Sequence, residues 1–114
     1  MPWWMVAVLI VLAVIVLGRL FGSSGDVEPA RARELVQNGA TLVDVRSPGE
    51  FSSGHIDGAI NVPVGDIERH LDRIPKDKPV ILYCASGMRS SAAAATLKGK
   101  GYTEVFNLGP MSRW

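Results

Sequence analysis

Cysteine is almost missing from this chain: one thiol, Cys84, stands among 114 residues. A single cysteine excludes an intramolecular disulfide and any cysteine-rich metal cluster. The two histidines, His55 and His70, are too far apart to form a metal-binding pair on one helix, so no metal site is expected. A dominant charge of one sign is lacking too. The formal net charge is +1, from 12 Lys and Arg against 11 Asp and Glu, and the two signs are interspersed. Such a surface carries no electrostatic footprint for nucleic acid, and that class of partner is set aside. Basic residues are absent ahead of Arg19, and acidic ones ahead of Asp26. A cleaved secretory signal begins with a positive region, so its absence argues against one here.

What fills that uncharged stretch is a hydrophobic run, MPWWMVAVLIVLAVIVL. It has no polar face, which excludes a surface-lying amphipathic helix. Residues 2–21 make about 20 positions, or about 30 Å as helix, which matches the hydrocarbon core of a bilayer. Trp3 and Trp4 suit one interface and Arg19 can snorkel to the other. Residues 1–21 are therefore expected to form a single-pass transmembrane anchor, residues 22–26 a Gly- and Ser-rich tether, and residues 27–114 the one folded domain. Arg19, Arg31 and Arg33 lie on the C-terminal side of the run. The positive-inside rule then places the domain in the cytoplasm.

Beyond the tether, hydrophobic periodicity alternates between helical and strand-like, the pattern of an α/β domain. Pro29 opens a helix through ARARELVQ that Asn38-Gly39 stops. Thr41–Val45 is a strand. Ser47-Pro48-Gly49-Glu50 is a capping box for a brief helix. Ile60–Pro63 is a short strand or turn. Ile67, Leu71 and Ile74 stripe a helix from about Val64 to Ile74. Val80–Cys84 is an unbroken apolar run, as expected of a central strand buried on both faces. Ser90–Lys100 is an Ala-rich helix ended by Gly101, and Glu104–Leu108 a last strand.

Cys84 thus closes a buried strand and is followed by Ala85, Ser86, Gly87, Met88, Arg89, Ser90 and a helix. Ligands of open α/β sheets bind beyond the carboxyl ends of strands, where a helix N-terminus offers unpaired N–H groups. Small residues and Gly87 let the loop curl over the sulfur, and Arg89 adds a positive charge. Each feature favours thiolate over thiol. On these residues alone, Cys84 reads equally well as a small hydrophobe at a strand end.

The wider set of motifs resembles a known family. Asp44-Val45-Arg46, Glu50-Phe51, Gly54-His55-Ile56-x-Gly58-Ala59-x-Asn61-x-Pro63 and Tyr83-Cys84-x-x-Gly87-x-Arg89-Ser90 are similar in order and spacing to a single-domain rhodanese, over about residues 27–114. The resemblance implies a central, mostly parallel sheet flanked by helices, and a sulfurtransferase that needs no cofactor. It implies that Cys84 takes sulfane sulfur from thiosulfate or a persulfide as a cysteine persulfide, and passes it to cyanide or a thiol, small or protein-borne. Residues 85–90 would hold the anion, with Arg46 approaching the pocket. Asp44 and Arg46 would chiefly brace their loop, Glu50 would cap its helix or pair with Arg46, and His55 would steady its loop.

Four residues separate Cys84 from Arg89. Related dual-specificity phosphatases carry five, a loop that fits phosphate, and no acid-bearing loop of that kind is visible here. A phosphatase is the weaker alternative. A non-catalytic binding module of the same fold is the other, and the intact cysteine loop opposes it. One departure stands out. Pro110 replaces the second glycine of the family's closing Leu-x-Gly-Gly turn, which implies a short terminal helix and an altered pocket wall.

Overall fold

The computed structural model describes residues 2–10 and 27–114. Residues 3–10 form a helix, α1, exposed along its length. Most of the expected anchor and the whole tether lie outside the described residues. Among the described residues, no helix is long and apolar enough to cross a membrane.

The domain alternates helix and strand as its periodicity implies. The elements are α2 (Pro29–Gln37), β1 (Thr41–Asp44), α3 (Pro48–Ser53), β2 (Ile60–Asn61), a 3₁₀ segment (Val64–Arg73), β3 (Val80–Cys84), α4 (Met88–Gly99), β4 (Val105–Pro110) and a last 3₁₀ turn (Met111–Arg113). Among the described residues the strands form one sheet in the order β2-β1-β3-β4. Every pairing is parallel.

β3 is central and wholly buried, so both its faces must be covered. Its alternating side chains divide the core. Val80, Leu82 and Cys84 pack with Ile67, Ile74, Ala93 and Leu97 on one face. Ile81 and Tyr83 pack with Ala32, Leu42, Ile56 and Leu108 on the other. Ser90, Ala93, Ala94 and Leu97 are the buried positions of α4, at helical spacing. The small side chains of Ser90, Ala93 and Ala94 let that helix lie close to β3.

Two elements depart from expectation. The segment after Pro63 is a 3₁₀ helix rather than an α-helix, and it breaks at His70 (φ −127°, ψ 31°). At three residues per turn Ile67 and Ile74 would drift onto different faces. The break at His70 re-phases them, and both are buried. The second departure is α4, which begins at Met88 instead of Ser90, because Gly87 takes the left-handed conformation (φ 98°) as its N-cap. Met88 and Arg89 therefore belong to the first turn of the helix.

Chain connections leave β1 toward β2 on one side and β3 toward β4 on the other. The crevice between the carboxyl ends of β1 and β3 is thus a topological switch point, where open α/β sheets bind ligands. Cys84 ends β3 there, and the Arg46–Glu50 stretch follows β1.

Candidate active site

Cys84 sits at the base of a tight turn whose polar groups point inward. The Gly87 N–H donates to Cys84 Sγ at 2.9 Å, and Ser90 Oγ lies 3.5 Å from the same sulfur. Ser90 is fully buried, and its hydroxyl also reaches the Gly87 carbonyl at 3.1 Å. Its single proton can therefore serve the carbonyl while the sulfur is a thiol, and turn to the sulfur when it is a thiolate. Burial pushes the Cys84 thiol up. Hydrogen bonds from the Ser90 hydroxyl and from the Ser90, Gly87 and Ser86 backbone N–H groups outweigh that, and hold it below its ordinary value. The turn therefore favours the thiolate of Cys84, the form in which a cysteine is reactive.

β4 forms the wall beside this turn. Its register with β3 slips between Leu82 and Tyr83, so that Tyr83 faces Gly109 and Cys84 faces Pro110. The extra residue is a bulge of the kind that re-aims a strand end beside a site. Asn107 Oδ1 accepts the Gly109 N–H at 2.9 Å and fixes it. A Cβ on Gly87 would lie 3.5 Å from both Gly109 Cα and Pro110 Cδ. Pro110 is thus part of the wall of the cysteine turn, and the terminal helix beyond it is a single short turn.

Arg89, expected to add a positive charge to the cysteine turn, is held in an ion pair. Both carboxylate oxygens of Glu50 accept from its guanidinium, at 2.7 and 3.0 Å. A cation in the first turn of a helix opposes the helix dipole, and here an internal carboxylate compensates it. Glu50 serves two elements at once. It closes the capping box with Ser47 at the start of α3, and it clamps Arg89 on α4. The Arg89 pairing, then the Ser47 backbone N–H, lower its carboxyl to about 2. Glu50 was expected to cap its helix or pair with Arg46, and the cap is present, but the ion pair is with Arg89.

Arg46 braces the loop that follows β1. Its guanidinium meets Asp44 through Nε and Nη2 at 2.7–3.0 Å. It also donates to the Gly54 carbonyl at 2.7 Å and lies over the Tyr83 ring, 5.8 Å from its centroid. Asp44 and Arg46 are both buried, so these contacts hold the guanidinium inside the fold. Asn61 Nδ2 completes the brace by donating to the Asp44 and Arg46 carbonyls at 3.0 and 2.9 Å. His55 stacks on Phe51, with ring centroids 3.6 Å apart, and its Nδ1 contacts the Phe51 carbonyl at 2.8 Å, as suits a loop-steadying group. Among the described residues no cluster of three or more His, Cys, Asp or Glu could hold a metal.

The rhodanese-like domain family matches residues 28–114. This chain belongs to the rhodanese-like family. An uncharacterized protein of Bacillus subtilis, YqhL, is 47% identical over 76 residues, which are 66% of this chain and 60% of that protein. The chain therefore spans less than two thirds of that relative's length. The thiosulfate sulfurtransferase GlpE of Ectopseudomonas mendocina is 37% identical over 89 residues, 77% of this chain and 82% of the relative. Among solved structures, the human single domain sulfurtransferase TSTD1 superposes with a TM-score of 0.68 at 31% identity, covering 78% of this chain and 93% of that one. Within the rhodanese-like frame, Cys84 occupies the end of the central strand, and the four-residue step to Arg89 leaves room for the compact turn just described.

Proposed function

We propose that this rhodanese-type sulfurtransferase moves sulfane sulfur from thiosulfate or a persulfide to a thiol or cyanide through a Cys84 persulfide, with residues 1–21 anchoring it in a membrane. The observation that carries the reading is the convergence of the Gly87 N–H and the Ser90 hydroxyl on Cys84 Sγ. In the first half-reaction the Cys84 thiolate attacks the outer sulfur of the donor, and sulfite or a thiolate leaves. In the second, an acceptor thiolate attacks the terminal sulfur of the Cys84 persulfide and regenerates the cysteine thiolate. This is two-step covalent catalysis. Attack by a preformed thiolate requires no general base. Backbone N–H groups of residues 85–90 are the donors suited to the anionic persulfide, as they are to the thiolate.

The anchor rests on the unbroken hydrophobic run and the aromatic pair near its start, together with the helical, exposed state of residues 3–10. Arg19, Arg31 and Arg33 favour a cytoplasmic domain.

Incubation of the full-length protein in detergent with thiosulfate or a small persulfide is expected to add the mass of one sulfur atom to Cys84, and cyanide then to release thiocyanate. Absence of both products with every sulfane donor overturns the sulfurtransferase mechanism. For topology, a membrane-impermeant thiol reagent applied to intact cells is expected to spare Cys84. Labelling from outside reverses the orientation, and recovery of the protein in the soluble fraction removes the anchor.

A further inference from the structure

The cysteine turn carries no charge on residues 85–88, which are Ala, Ser, Gly and Met. Its cation is Arg89, and both of that cation's outward bonds go to Glu50. Thiosulfate approaches as a dianion toward a thiolate, so its capture calls for positive charge that is not already matched. An organic persulfide carries at most one negative charge on its sulfur pair, against two on thiosulfate. We infer that Glu50 sets the donor class of this enzyme, cancelling the charge of Arg89 so that the site favours an organic persulfide over thiosulfate. The inference rests on the sulfurtransferase mechanism proposed above.

Two further observations support it. Within residues 27–114, Met88 is the one large apolar side chain left exposed, at 79%. It opens α4 directly after the cysteine turn, where it offers an apolar ledge to an organic carrier. Glu50 also stays ionised at any working pH, since its carboxyl is lowered to about 2, so its charge always opposes that of Arg89. The favoured step is Cys–S⁻ plus R–S–SH giving Cys–S–SH plus RS⁻. The carrier's S–S bond breaks, a new S–S bond forms on Cys84, and the electron pair leaves with the carrier sulfur.

Glu50→Gln tests this with little structural disturbance, because glutamine can also close a capping box with Ser47 and can still accept a bond from Arg89. Rates of Cys84 loading by sodium thiosulfate and by hydroxyethyl persulfide are measured on full-length protein by quenched mass spectrometry. The thiosulfate-to-persulfide rate ratio is expected to rise about tenfold in the variant at low ionic strength, the scale of one uncovered charge at partial screening. The rise is expected to shrink in high salt. Glu50→Asp, which restores the charge, is expected to return the ratio toward wild type. A ratio that stays put or falls overturns the inference while leaving sulfur transfer intact. If neither donor loads wild type, the underlying mechanism fails instead. Should Glu50→Gln not fold, the wild-type salt dependence decides: loading by thiosulfate that falls steeply with ionic strength marks an uncovered cation and overturns the proposal, whereas a flat or rising dependence supports it.

Discussion

The backbone N–H of Gly87 meets the sulfur of Cys84 at 2.9 Å, and it can do so because Gly87 holds a φ of 98°. A side chain there would find ordinary van der Waals distances to Gly109 and Pro110, so the obstacle to substitution is the backbone conformation and not a clash. Gly87→Ala is expected to lower stability by about 1–2 kcal/mol and to turn the N–H off the sulfur. Urea unfolding measures the first effect, and slower Cys84 persulfide formation the second. An alanine variant as stable and as fast as wild type refutes this role for the glycine.

Ser90 supports the thiolate through its hydroxyl. Ser90→Ala is expected to move the pH midpoint of Cys84 alkylation upward, because a bond favouring the charged form is lost while burial still opposes it. Alkylation of wild type is expected to rise with pH and reach its plateau earlier than for an ordinary thiol. Coincident profiles for the two proteins count against the hydrogen bond.

The buried Asp44–Arg46 pair holds the loop after β1 at the switch point. Asp44→Ala strands a buried guanidinium, at a cost of about 3–5 kcal/mol. Adding Arg46→Met to that variant is expected to recover much of the loss, since the uncompensated charge is gone. Thermal unfolding of the single and double variants checks both statements, and an undiminished loss in the double variant argues against an electrostatic origin.

Glu50 links stability to acid. Its carboxyl lies near 2 when folded against an ordinary value of 4.5, so the unfolded chain binds its proton first as pH falls. The contribution is complete above about pH 4.5 and fades as pH drops toward about 2. Glu50→Gln lacks this dependence. The difference in unfolding midpoint between wild type and the variant is therefore expected to narrow across that window, and a constant difference would rule the linkage out.

Local chemistry made much of the domain legible. Pro29, the Asn38-Gly39 stop and the Ser47–Glu50 capping box mark helix ends through backbone geometry alone, and α2 and α3 stand where they indicate. The apolar run of β3 required two buried faces, and both are covered. The stripe of Ile67, Leu71 and Ile74 identified the inward side of its segment but not the 3₁₀ winding, because a break at His70 lets a different helix still bury Ile67 and Ile74.

By itself the sequence determined that Cys84 would end a central strand ahead of a helix, since strand burial, glycine geometry and hydrophobic periodicity are properties of neighbours along the chain. Only the tertiary structure decided what Arg89 does. Its partner Glu50 lies 39 residues away, on the helix after β1, and only the parallel pairing of β1 with β3 brings the two helix starts together. The same holds for Pro110, which reaches the cysteine turn through a bulge in β4. Charge pairing and wall shape depend on which strands lie side by side, and that is settled by packing the whole sheet.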